Sequence, residues 1–182
     1  KGSIYANAHA LARYASLCQE SDIVPIVEPE VLMEGDHTIQ DCYNATSKSL
    51  EIVFKQLSLL KVNLEAMILK PNMVLPGLHS NETISNEMTA KMTFGVLKEH
   101  VPEEVPGVAF LSGGQSSDLA AKRLNNLNKL YMNQCAWKLT FSYGRALQED
   151  ALKKWATGSI EDTQNALINR AKMNHLASVG KM

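Results

Sequence analysis

Lys70 follows the apolar residues Met67, Ile68 and Leu69 and precedes Pro71, so its amine falls where a buried strand gives way to a loop. Burial penalises the ammonium form, and the pKa of such a lysine is expected below its ordinary value of about 10.4. A neutral amine attacks a carbonyl, and the resulting iminium is an electron sink for breaking a neighbouring carbon–carbon bond. The competing reading is a strand-end lysine that snorkels to solvent. Glu28 and Glu30 flank Pro29 and point the same way if extended geometry continues through the proline. Two carboxylates at one mouth raise one of their pKa values, which makes that group a proton shuttle near neutral pH, and either can hold the Lys70 amine. Set against this is a solvated loop with two exposed acids.

A second kind of chemistry lies further along the chain. Phe110 to Asp118 reads as strand, glycine-rich turn and helix start, with Ser112, Gly113 and Gly114 at the turn. Free backbone N–H groups and the positive end of a helix dipole suit a phosphate there. No GK[ST] follows, so the segment is not a P-loop. Phe141 to Arg145 repeats the arrangement one strand later. Ser142 lies at the same mouth, Gly144 allows close backbone approach, and Arg145 can grip a phosphate through two parallel N–H donors. One Gly-Gly turn alone is an ordinary turn. Two such turns on consecutive strands make a candidate anion cradle, in the place where (β/α)8 barrels hold phosphate.

These groups need elements to position them. Four short apolar runs, Ile23 to Val27, Met67 to Leu69, Val108 to Leu111 and Leu139 to Phe141, read as strands. Each runs into Pro or Gly and is followed by a segment of helical period. Tyr43, Thr46, Leu50, Val53, Leu57 and Leu60 recur at helical spacing, with Lys48, Glu51 and Lys55 on the opposite side. A second stretch runs from Ile84 through Met88, Met92 and Val96 to Leu97, ending near His100 before Pro102. Ser116, Ser117 and Asp118 offer N-cap chemistry for a third helix reaching Leu130. Two more are predicted near Ala146 to Ala156 and Ile160 to Ala177. This alternation implies a parallel α/β sheet covered by helices, either an open doubly wound sheet or a closed barrel, and pattern alone does not choose. In both, chemistry gathers at the C-terminal strand ends, where Glu28, Lys70, Ser112 and Arg145 all fall.

Composition narrows the partners. The 182 residues carry 18 basic and 19 acidic side chains, a net charge of -1, with no polybasic face for nucleic acid or an anionic membrane. No apolar run approaches the roughly 18 residues of a membrane-spanning helix, and Lys1 to Ala8 lack the apolar stretch of a secretory signal. A soluble, cytoplasmic protein is expected. Cys18, Cys42 and Cys135 are odd in number and form no CxxC pair, which fits reduced thiols. The histidines form no ligand pair, so no metal and no other cofactor are expected.

IVPIVEPEVL at 23 to 32, LKPNMV at 69 to 74, FLSGGQS at 110 to 116 and LTFSYGRALQ at 139 to 148 resemble the strand-end motifs of class I fructose-1,6-bisphosphate aldolases, in order and near their spacing. NAHALARYASLCQ at 7 to 19 resembles the helix that precedes them. The likeness spans nearly the whole chain. It implies a parallel (β/α)8 TIM barrel, of which residues 1–182 supply about the last four βα units as the C-terminal part of a single domain. It also implies a lyase that cleaves fructose 1,6-bisphosphate reversibly to dihydroxyacetone phosphate and glyceraldehyde 3-phosphate, in glycolysis and gluconeogenesis. In that scheme Lys70 forms a Schiff base with the ketone carbon, Glu28 helps dehydrate the carbinolamine, and Glu30 hydrogen-bonds near the lysine. Ser112, Gly113, Gly144 and Arg145 match substrate-phosphate positions, with Gly114 and Ser142 beside them. A homotetramer is implied as well.

The chain also departs from the family pattern. The acidic and basic residues of the family's first four strands are absent, as is the tyrosine-terminated tail of animal enzymes. An eight-stranded barrel takes about 250 residues, so a piece of a longer polypeptide that needs the missing N-terminal half is expected. The alternative is a non-catalytic sugar-phosphate-binding or assembly module derived from a truncated barrel. A third reading keeps the Schiff base and changes the substrate to another phosphorylated ketose.

Overall fold

Helix starts in this chain are set by hydroxyl side chains that accept the N–H groups no earlier turn satisfies. The computed structural model describes residues 2–182 and opens with α1 (Gly2–Glu20). Thr38 caps α2 (Ile39–Leu59), Ser85 caps α3 (Asn86–His100) and Ser116 caps α4 (Ser117–Tyr131). Then α5 (Arg145–Thr157) begins at Gly144 with no side-chain cap, and Ser159 caps α6 (Ile160–Ser178). Between the helices lie β1 (Ile26–Val27), β2 (Ile68–Leu69), β3 (Gly107–Phe110) and β4 (Lys138–Phe141).

All strand pairs are parallel and the order across the sheet is β1-β2-β3-β4, with Ile26, Ile68, Gly107 and Lys138 in register. A doubly wound sheet reverses its order at a switch point. This one does not: each new strand adds on the same side, and α1 packs on α2, α2 on α3 and α3 on α4 in sequence. The result is an arc of a βα barrel, which decides between the two architectures left open by the pattern. The core lies between sheet and helices, where Val27, Leu69 and Phe110 meet Leu50, Leu97 and Leu124. Both β1 and β4 are edge strands.

Several boundaries differ from the sequence expectation. Ile23 and Val24 fall outside β1 and are 58% and 60% exposed, because Pro25 interrupts the run and has no N–H for the ladder. Met67 ends a single 3-10 turn at Leu64–Ala66 rather than opening β2, and Leu111 lies just past β3. The helix expected from Tyr43 starts earlier, at Ile39, since Thr38 and Asp41 form a capping box there. On α3 the buried face is Thr89, Ala90, Thr93, Val96 and Leu97, while Met88 is exposed. Thr93 Oγ1 accepts from the Val74 N–H at 2.9 Å and draws α3 onto the loop after β2, where small side chains fit.

Candidate active site

The parallel ladder runs on past the strands and fixes the residues at their C-terminal ends. The Lys70 N–H donates to Val27 O at 2.8 Å, Leu111 N–H to Pro71 O at 3.1 Å, and Ser142 N–H to Phe110 O at 2.9 Å. These bonds bring the four strand ends to one rim. There a cavity of about 580 Å³ is lined by Glu28, Glu30 and Lys70 on one side and by Ser112, Gly113 and Gly114 on another. Ser142, Gly144 and Arg145 complete it, so every candidate residue from the sequence meets in one place.

Lys70 Nζ lies 3.1 Å from Glu28 Oε1, with the lysine side chain 19% exposed and the glutamate 43%. With the glutamate partly in water the pair contributes little stability, so its value is positional. Glu28 is the carboxylate that pairs with Lys70, and Glu30 lines the same cavity without an ion pair to it among the described residues. Pro29 is buried between them, and both glutamates are among the residues that line the cavity. What holds this segment is Asn72, which lies in the LKPNMV stretch and is not among the candidate site residues read from the sequence. Asn72 is 3% exposed; its Oδ1 accepts from the Val31 N–H at 3.0 Å, and its Nδ2 donates to Thr46 Oγ1 and Met73 O, each at 3.1 Å.

The glycine turn has consecutive left-handed residues, Gly113 at φ +54° and Gly114 at φ +75°, which side chains disfavour. At the start of α4, Ser116 accepts the Leu119 N–H at 3.4 Å, so one of the first-turn donors is already engaged. The start of α5 differs. A Cβ on Gly144 would meet nothing within 4 Å, no side chain caps the helix, and no carboxylate among the described residues pairs with Arg145. Between Ser142 and Gly144, Tyr143 is buried and its hydroxyl donates to Ala120 O at 3.1 Å, anchoring the segment on α4. Burial pushes that phenol well above its ordinary pKa, so it stays neutral.

One wall of the cavity was not foreseen. The loop after β1 pairs with the loop after β2, Leu78 N–H donating to Met33 O at 2.8 Å and Gly77 N–H to His37 O at 2.9 Å. A Cβ on Gly77 would sit 2.3 Å from Gly35 O, so only glycine lets the backbones approach. The pairing brings Met33 and Leu78 over the rim. Gly35 and the Pro76–Gly77 step were the available signals. Among the described residues no group of three His, Cys, Asp or Glu is placed to hold a metal, and no helix is long and apolar enough to cross a membrane.

A lysine ion-paired to a carboxylate thus stands opposite a glycine turn and an uncapped helix start at the C-terminal rim of a βα-barrel arc, the face where barrels of this class carry their active sites. A family model for class I fructose-bisphosphate aldolase matches residues 1–182, and the chain belongs to that family. It is 48% identical over 181 residues to a probable fructose-bisphosphate aldolase class 1 of Xanthomonas campestris pv. campestris, covering 98% of this chain and 54% of that protein. It is also 48% identical to fructose-bisphosphate aldolase B of Sparus aurata, covering 98% of this chain and 50% of that one. A solved structure of the Plasmodium falciparum aldolase, in complex with TRAP and a small-molecule inhibitor, superposes with a TM-score of 0.94 at 45% identity. That match covers 100% of this chain and 52% of the other. The chain thus spans about half the length of the relatives it matches, and its fold is the C-terminal part of a TIM barrel.

Proposed function

We propose that this chain is the Schiff-base half of an aldolase barrel that cleaves fructose 1,6-bisphosphate reversibly to dihydroxyacetone phosphate and glyceraldehyde 3-phosphate. The observation that carries this reading is Lys70 Nζ held 3.1 Å from Glu28 Oε1 in the same cavity as Gly113 and Arg145. The Lys70 amine attacks the ketone carbon to give a carbinolamine. Glu28, within proton-transfer reach, protonates the departing hydroxyl so that water leaves and the iminium forms. The iminium then accepts the electron pair of the breaking carbon–carbon bond. Ser112, Gly113 and Gly114 together with Ser142, Gly144 and Arg145 hold a substrate phosphate, and Glu30 adds negative charge at the rim. Glycolytic and gluconeogenic use, a cytoplasmic location and a homotetramer belong to the same proposal; one relative is a cytosolic aldolase of Arabidopsis thaliana.

The remaining barrel strands are supplied by a further N-terminal half of the same domain. Exposed apolar residues flank the arc, Ile23 and Val24 near β1 and Trp155, 71% exposed, on α5, which supports a covering partner at both ends. Borohydride reduction in the presence of dihydroxyacetone phosphate is the test. A mass increment on Lys70 is expected, and an unlabelled Lys70 in folded full-length protein contradicts the proposal. Saturable sugar-phosphate binding without cleavage, unchanged when the N-terminal half is supplied, identifies a non-catalytic module instead. Comparing cleavage of the 1,6-bisphosphate with the 1-phosphate tests the substrate.

A further inference from the structure

Gln115 does not line the cavity, yet it grips the turn that does. Its Nε2 donates to the Ser112 carbonyl at 2.8 Å, and its backbone N–H donates to the same oxygen at 3.1 Å. Its Oε1 accepts in turn from Arg123 Nη1 on α4 at 2.9 Å. The Nε of Arg123 is buried without a partner, and no carboxylate among the described residues pairs with this arginine. Burial pushes its guanidinium below the ordinary range, but an arginine holds its charge in a protein. A fixed cation without a counter-ion therefore stands behind the glycine turn.

The turn transmits that arrangement. The Ser112–Gly113 peptide is trans, so the Ser112 carbonyl and the Gly113 N–H point in opposite directions. The carbonyl is held by Gln115, while the Gly113 N–H, on the other side of the peptide, has no acceptor among the described residues and belongs to a residue that lines the cavity. Hydrogen bonds in a chain polarise one another. Arg123 draws on Gln115 Oε1, the Gln115 amide becomes a stronger donor to Ser112 O, and the Gly113 N–H becomes a stronger donor in its turn. We propose that Gln115 and Arg123 are positioning residues that aim and polarise the Gly113 N–H at a substrate phosphate monoester. The proposal rests on the phosphate role given to this turn above, and neither side chain touches the ligand.

The experiment is a titration of inorganic phosphate into full-length protein labelled with 15N-glycine, read at the Gly113 amide and accompanied by KM and kcat for the sugar bisphosphate. Phosphate is expected to move the wild-type Gly113 amide proton downfield. Gln115→Leu and Arg123→Met are each expected to weaken phosphate binding, by up to about tenfold if the Gly113 N–H contact is lost outright, and to reduce that shift. Both should raise KM more than they lower kcat. Gln115→Glu keeps a partner for Arg123 but cannot donate to Ser112 O, and should behave like Gln115→Leu; Arg123→Lys should recover part of the loss. If phosphate leaves the wild-type Gly113 amide unmoved, the phosphate reading of the turn itself fails. If the wild type responds and the variants respond equally, whether or not their melting temperature falls, the relay is overturned. Should Gln115→Leu fail to fold, Arg123→Met carries the same test from one position further back.

Discussion

Replacing Asn72 by leucine keeps the branched heavy-atom shape of the buried side chain and removes the bonds that hold the Glu28–Val31 segment over the sheet. The Val31 N–H loses its acceptor at 3.0 Å, and Thr46 Oγ1 and Met73 O each lose a donor at 3.1 Å. A buried polar group left unpaired costs about 1–3 kcal/mol, and a partly exposed one recovers water. The low end for each of these groups sums to about 3 kcal/mol. For a domain of this size each kcal/mol shifts Tm by about 2–4 °C, so a fall of about 6–12 °C is expected by calorimetry. The untied segment should also slow borohydride trapping at Lys70, since Glu28 is carried on it. Asn72→Asp retains an acceptor for the Val31 N–H and should trap closer to the wild-type rate, while losing at least as much stability through an uncompensated buried carboxylate. A loss below about 1 kcal/mol, or Asn72→Leu trapping at the wild-type rate, would refute the reasoning.

Lys70→Ala should abolish covalent trapping while leaving Tm within a few degrees of wild type, because the ion pair it removes is partly open to water on the Glu28 side; circular dichroism melting beside mass spectrometry checks both parts. Arg145→Ala should weaken phosphate binding with little effect on trapping at saturating substrate, and an unchanged substrate affinity contradicts its assigned role. Hydrogen bonds from Thr38 to Asp41 and from Ser159 to Asp162 hold both carboxyls below the ordinary aspartate value of 3.8. Because the folded values are depressed, their stabilisation is present above that value and is lost as pH falls through the folded values. The Asp41→Asn/Asp162→Asn double variant should therefore show a shallower fall of Tm in acid than the wild type, and an equal slope would count against the capping role.

Much of the site was readable from residue order. Lys70, Ser112 and Ser142 each follow an apolar run, and the ladder bonds past β1, β2 and β3 are what bring such residues to one rim. Glycine at 113 and 114 announced a turn that only glycine adopts easily, and the two left-handed φ values follow. Asn72 was harder to assign, because its partners Val31 and Thr46 lie far away in the chain and nothing local marks them. The same holds for Gln115, whose grip on Ser112 is local but whose support by Arg123 depends on how α4 lies.

Local chemistry, then, determined the helices, their caps, the alternation of strands and the polar groups at strand ends, since each depends on neighbours within a turn or two of chain. Tertiary structure decided the barrel arc over the open sheet, the contact of Glu28 rather than Glu30 with Lys70, the buried face of α3 and the pairing of the loops across Gly77. Those outcomes depend on hydrogen bonds and close backbone approaches between segments far apart in sequence, and strand order and register become defined only when the sheet assembles.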